Sequence, residues 1–302
     1  MIVLVRVIFL TIKATFYFNF NIFVLRVFKD KLALSAFLSD KSKVGFVPTM
    51  GALHKGHVSL IKLSVNQCQV TVCSIFVNPA QFNDKNDLLN YPRTTEKDLA
   101  LLEEAGCDVV FIPEVEEIYP PNLSMQNYDF GAIEKVMEGE HRPGHFNGMA
   151  NVVQRLFDIV KPNLAFFGEK DFQQLCVVKQ LVKLLDLSIT IVSGAIIRED
   201  DGLAMSSRNM LLTSSERTQA SGIYNTLSQI KKRSNTSNPQ ELLEFAIENF
   251  KKYPLIKPEY IQFAYADNLE NITVLDKSRS VMLFIAVKLG KVRLIDNMLI
   301  YE

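Results

Sequence analysis

The sequence predicts an α/β protein: a doubly wound, Rossmann-like parallel sheet with a smaller C-terminal α+β unit. Three observations predict it. The strand-sized runs VGFVP, VTVCSIFVN and CDVVFIP are apolar throughout rather than alternating, as in strands covered on both faces. Helix-length patterns separate these runs, as parallel neighbours require. From residue 200 onward the order changes to two helices followed by strands.

The elements follow in order. The run 44–48 reads as a buried strand, followed by a Gly/His-rich turn and a helix through Gln67. Residues 70–78 form the next strand. A helix covers 94–105, with Thr95 and Asp98 in capping-box spacing and Gly106 as its stop. Residues 107–113 make a third strand and 149–160 a helix. Then come a strand at 163–168, a helix at 172–185 and a strand at 189–198. In the C-terminal part, helices are expected over 213–233 and 239–252, with SNTSNP between them. Strands are expected at 259–267, 272–276 and 281–297. This places a larger unit at 26–199 and a small unit at 200–302.

The chain has 302 residues, 48% hydrophobic and 22% charged, which excludes disorder as a description of the whole. With 33 basic and 33 acidic residues its formal charge is zero, so no electrostatic footprint for sequence-independent nucleic-acid binding exists. Cys68, Cys73, Cys107 and Cys176 form no C-x-x-C pair and lie in apolar stretches, which predicts free thiols in a reducing compartment. Residues 1–25 are apolar and aromatic but interrupted by Arg6 and Lys13. They are long enough to span a bilayer, yet Lys13 near the centre is costly. The favoured expectation is that translation begins near Leu25 or Arg26, with a membrane-associated segment as the alternative.

The polar motifs fall where strands run into helices, the ligand-binding end of such a sheet. PTMGALHKGHVSL places His54 and His57 on one face at the start of a helix, whose free amides attract anions. Zinc is the rival for the pairs His54/His57 and His141/His145, but neither cysteine partners nor an H-E-x-x-H pattern accompany them. FFGEKDFQQL offers Lys170 to phosphate after a turn at Gly168. LAMSSRNML sets Ser206 and Ser207 beside Arg208, a combination suited to phosphate oxygens. FVNPAQF adds Asn78 and Gln81, uncharged amides able to read a hydroxyl or a carboxylate. The phosphate loop G-x-x-x-x-G-K-[ST] and the dinucleotide fingerprint G-x-G-x-x-G are absent, so ordinary kinase, GTPase and dehydrogenase readings lose support.

In order and context, PTMGALHKGHVSL, FVNPAQF, YPRT, HFNGMANVV, FFGEKDFQQL and REDDGLAMSSRN resemble the pantothenate synthetase (pantoate–β-alanine ligase) family, within the wider group of H-x-G-H nucleotidyltransferases. The resemblance spans residues 26–302; the segment 1–25 has no counterpart in it. It implies a ligase that condenses pantoate with β-alanine, using ATP and Mg²⁺, through a pantoyl adenylate. It also implies that Met50, Gly51, Ala52, Leu53, His54, Lys55, Gly56 and His57 border ATP, with His57 the proton donor and His54 a phosphate contact. Gly168, Glu169, Lys170 and Asp171 would bind ATP too, as would Met205, Ser206, Ser207 and Arg208. Lys170 and Arg208 would face the phosphates and Ile197 the adenine. Gln81 and Gln174 would bind pantoate, with Gln81 near β-alanine, and Asp98 would lie on the magnesium side. A cytoplasmic homodimer with a closing C-terminal lid, FVNPAQF lying near the dimer elements, completes the expectation. It involves neither nucleic acid nor membrane. The rivals are a nucleotidyltransferase that stops at the adenylate and a membrane-anchored nucleotide-binding module.

Overall fold

The computed structural model describes residues 24–82, 85–121 and 123–302. The expected N-terminal extension therefore lies outside the described residues except for its last two positions. Among the described residues, no helix is long and apolar enough to cross a membrane.

The described part begins with β1 (Arg26–Phe28), α1 (Lys31–Leu38), β2 (Val44–Thr49), α2 (Lys55–Gln67) and β3 (Val70–Ile75). It continues through α3 (Lys85–Asn90), α4 (Thr95–Glu104), β4 (Val109–Phe111), α5 (Val115–Ile118), α6 (Glu138–His141) and α7 (His145–Val160). Then follow β5 (Leu164–Gly168), α8 (Phe172–Leu184) and β6 (Thr190–Gly194). These six strands form one parallel sheet in the order β1-β4-β3-β2-β5-β6. The chain winds outward from β2 to β3 and β4, then returns through α7 to the other side of β2. The crevice between β2 and β5 is thus the switch point where a ligand is expected.

Continuous apolar runs mean that both sides of the sheet are packed. Phe46 and Phe167 point into the layer containing α1, α7 and α8, while their neighbours Val47 and Phe166 enter the opposite layer with Ile61 of α2 and Leu102 of α4. All four are buried. Helix α7 comes so close to the turn Pro79–Gln81 after β3 that a Cβ on Gly148 would stand 2.1 Å from the Ala80 carbonyl oxygen.

The remaining elements are α9 (Ser214–Arg233), α10 (Pro239–Phe250), β7 (Ile256–Tyr265), β8 (Val281–Leu289) and β9 (Val292–Tyr301). The strands make an antiparallel sheet in sequence order. One face of β8 packs Leu283, Ile285 and Val287 against α9 and α10, while Met282 and Phe284 face Met137 and Phe172 of the first unit. Beside that seam the Glu138 carboxylate accepts two bonds from Arg293, at 2.7 and 2.8 Å, and one from the Tyr260 hydroxyl at 2.7 Å.

Several expectations need correction. The run 281–297 is not one strand, because Gly290, at φ 56°, turns it into the β8–β9 hairpin. Residues 272–276 form no strand; next to them only an isolated bridge joins Ala264 to Asn271. The strand expected at 189–198 ends at Gly194. Thr94 rather than Thr95 precedes α4, and its hydroxyl donates to Asp98 at 3.0 Å instead of forming a capping box.

Gly148→Ala is expected to lose about 1–3 kcal/mol of stability, the usual cost of overpacking against backbone. A lowered urea midpoint at unchanged slope checks this; an unchanged midpoint would show that the turn yields freely.

Candidate active site

A cavity of about 170 Å³ opens at the carboxyl ends of the sheet, its wall including Met50, His57, Gln81, Asp171, Gln174 and Arg208. A smaller hollow of about 40 Å³ adjoins it, shares Arg142, His145, Asp171 and Gln174, and adds Lys170. His54 lies against His57, ring centroids 4.1 Å apart. The first motif thus meets Gln81, the 168–171 turn and Arg208 at one end of the sheet.

The start of α2 sets the state of both histidines. His54 is the N-cap and accepts from the Gly56 amide through Nδ1 at 3.1 Å. His57, three positions into the helix, accepts from the His54 amide through its own Nδ1 at 3.3 Å. A ring that accepts at Nδ1 is neutral and carries its proton on Nε2. Electrostatics agree: burial, then the Lys170 charge, pushes His54 down to about 4. Burial, the neighbouring His54 and Lys170 hold His57 well below the ordinary range. Both rings therefore present N–H donors at neutral pH without carrying charge themselves.

Asp98 braces this turn. Gly51 and Ala52 both have positive φ, 80° and 50°, and together they turn the following amides to one side. The Asp98 carboxylate, 1% exposed, accepts from Ala52 at 2.9 Å and Leu53 at 2.8 Å, besides the Thr94 hydroxyl. Its oxygens are engaged by these protein donors beneath the turn.

Gln81 is held through its backbone. The Asn78 side chain caps the Pro79–Gln81 turn, donates to the Gly148 carbonyl at 3.1 Å and accepts from the Tyr119 hydroxyl at 2.9 Å. Asn78 thus braces this turn and also lines the cavity. His145 bonds the Gln81 carbonyl through Nδ1 at 3.0 Å and faces an Arg142 N–H through Nε2 at 3.1 Å. A carbonyl only accepts, so this ring is protonated on Nδ1, the opposite tautomer to His54 and His57. Burial and then the Arg142 charge lower it to about 4.

Of the 205–208 string, among the described residues, Arg208 alone reaches the larger cavity. Met205 is buried, its amide bonded to the Ile197 carbonyl at 2.9 Å. Ser206 caps the following turn by accepting from the Arg208 amide, and the Ser207 hydroxyl pairs with that of Tyr91 at 3.1 Å. Arg208 pairs with Asp87 at 3.0 Å and lies over the Tyr91 ring. Ile197 borders the first turn of α2, where a Cβ on Gly56 would meet it at 4.0 Å. Arg142 lines the cavity as well, and sequence reasoning missed Tyr91 and His145 as cavity residues, although the strings YPRT and HFNGMANVV that carry them stood out. Among the described residues no group of three or more His, Cys, Asp or Glu side chains converges as a metal site. The four cysteines are unpaired.

Two outcomes follow from this geometry. Asp98→Asn turns an N–H₂ toward a backbone N–H and is expected to destabilise the protein by about 1–3 kcal/mol, read by thermal melting against Thr94→Val, which keeps the carboxylate. The second concerns pH. Below its ordinary 6.5, the unfolded chain protonates His145 while the folded one resists to about 4, so stability falls as pH drops through this window. His145→Gln is expected to show a shallower fall in urea midpoint between pH 6.5 and 4. Parallel curves would contradict the buried neutral ring.

The chain matches the pantoate-beta-alanine ligase family over residues 26–299. It is 46% identical over 278 residues to a pantothenate synthetase of Porphyromonas gingivalis, covering 90% of this chain and 98% of that one. It is 48% identical over 266 residues to that of Azobacteroides pseudotrichonymphae, covering 88% and 95%. Its fold superposes on the crystal structure of pantothenate synthetase from Thermus thermophilus with a TM-score of 0.87 at 37% identity, covering 91% and 99% of the two chains. A Francisella tularensis pantoate-beta-alanine ligase, solved with beta-gamma ATP and beta-alanine, gives a TM-score of 0.76 at 37% identity, covering 90% and 97%. The cavity at the head of α2 and these likenesses lead to one conclusion: the chain belongs to the pantoate–β-alanine ligase family.

Proposed function

We propose that this chain condenses pantoate with β-alanine at the expense of ATP, releasing pantothenate, AMP and pyrophosphate. The observation that carries this reading is the meeting of His57, Gln81, Gln174 and Arg208 on one cavity in a chain of this family. Pantoate is a small hydroxy acid with a dimethyl carbon. The cavity matches that chemistry, with Met149, Val152, Val153 and Phe167 in its wall and two glutamine amides beside them. The pantoate carboxylate attacks the α-phosphorus of ATP, and pyrophosphate leaves. The β-alanine amine then attacks the acyl carbon and AMP departs, a far better leaving group than the oxygen of a free carboxylate.

The protein's part is positioning and charge stabilisation. The Nε2–H groups of His54 and His57 donate to phosphate oxygens as negative charge builds there, and neutral rings lose no proton in doing so. Lys170 and Arg208 supply the positive charge; Arg208 must exchange its contact with Asp87 for phosphate. Magnesium, when bound, would be held chiefly by substrate phosphates with one or two carboxylates and would offset the phosphate charge. Asp171 fits that role: it lies in the cavity wall with its side chain half exposed, whereas Asp98 does not. The unit 200–302 acts as a lid over the nucleotide. A homodimer in the cytoplasm completes the proposal.

A coupled assay for AMP, omitting pantoate, β-alanine and ATP in turn, tests the reading. AMP is expected only with all three, whereas a nucleotidyltransferase that stops at the adenylate would release pyrophosphate without the amine and no AMP. His57→Ala is expected to stay folded and lose ~10²-fold or more in pyrophosphate release, the scale of a group that stabilises charge in the transition state. Release at the wild-type rate would remove His57 from the chemistry.

A further inference from the structure

Two polar residues lie buried side by side in β9, where the sequence offers only a short interruption in an apolar run. Asp296 and Asn297 are 4% and 3% exposed. Successive residues of a strand project to opposite sides, so such a pair can address two different segments. The Asn297 amide donates both its hydrogens to adjacent carbonyls of the turn after β5, Glu169 at 2.8 Å and Lys170 at 2.9 Å. Asp171, the N-cap of α8, makes no side-chain cap bond of its own. The Asp296 carboxylate takes both arms of Arg198, at 2.7 and 3.0 Å. Arg198 in turn donates to the Gly202 carbonyl at 3.0 Å and lies over the Tyr224 ring, fixing the 197–205 loop. That loop is tied across itself by Met205 to Ile197 and by Glu199 to Leu203.

We infer that Asn297 and Asp296 are positioning residues for the nucleotide: the dipeptide ties the Glu169–Lys170 turn and the 197–205 loop to one strand of the small unit. The inference rests on the proposed function, because it takes both segments as binding ATP. Asn297 aims the Lys170 turn and Asp296 the loop that leads into Arg208, so the two halves of a phosphate grip share one support. The pair lines the smaller hollow beside Lys170 and Gln174, outside the larger cavity with its apolar wall and away from the His54–His57 cap, so its removal is expected to be felt more by the nucleotide than by the hydroxy acid.

Asn297→Asp keeps the size and removes the donors. Asn297→Ala removes them without adding charge beside Asp296, and Asn297→Gln keeps an amide. Calorimetry with an ATP analogue carrying a methylene between its α and β phosphates reads binding without turnover, and the AMP assay reads KM for each substrate. Asn297→Asp and Asn297→Ala are each expected to weaken the analogue and raise KM for ATP about ten-fold, the scale of two ordinary hydrogen bonds. KM for pantoate is expected to stay within about two-fold, since distant sites act independently, and Asn297→Gln to recover part of the loss. A folded Asn297→Ala protein that binds the analogue like wild type overturns the inference. So does an equal loss for pantoate and ATP, which marks a general structural role. Failure of the proposed function looks different: the wild-type protein itself would make no AMP with all three substrates present.

Discussion

The site depends on how the first turn of α2 is closed. His54 and His57 cap the helix reciprocally, each ring accepting a backbone amide through Nδ1. This commits both protons to Nε2 and leaves two neutral donors at a helix end already favourable to anions. A charged imidazole could not accept at Nδ1, so the same contacts that start the helix also fix the protonation of its two histidines. The brace from Asp98 matters for the same reason. It holds two consecutive residues at positive φ and so fixes where the helix begins.

Around that cap the sheet supplies the other groups by topology. Reversal of strand order between β2 and β5 brings the loops after both strands into one crevice, and the turn after β3 reaches it across Gly148. The small unit closes the arrangement from the other side through buried polar contacts, not apolar packing alone. Glu138 with Arg293 and Tyr260 marks one part of this seam, and Asp296 with Arg198 another. Buried charges of this kind are costly unless fully paired, so they specify one relative placement more than they add stability.

The parallel sheet was legible because its strands are apolar on both faces and its helices carry clear periodicity. The pairs Phe46/Val47 and Phe166/Phe167 illustrate why. β1, three residues long, carries too little pattern to stand out, and ITVLD has strand composition but lies in the β7–β8 connection, where its Ile272 amide bonds β7 but no strand forms. The β8–β9 hairpin was hidden inside one apolar run whose only mark is Gly290. In the site, residues carried by compact motifs could be found: His54, His57, Gln81, Lys170, Gln174 and Arg208. Asp98, His145 and Asn297 act through partners 45, 64 and 128 positions away, and no local pattern announces such contacts. Asp98 was read by its spacing from Thr95, a local signal, whereas its two amide partners sit in another loop.

The most direct test of this account is the ¹⁵N NMR spectrum of the histidine rings in the ligand-free protein, followed through pH. The account predicts His54 and His57 as neutral rings protonated on Nε2 and His145 as a neutral ring protonated on Nδ1 at pH 7, with His54 and His145 titrating near 4. An imidazolium at His57 near neutral pH, or its proton on Nδ1, would contradict the cap on which the active site is built.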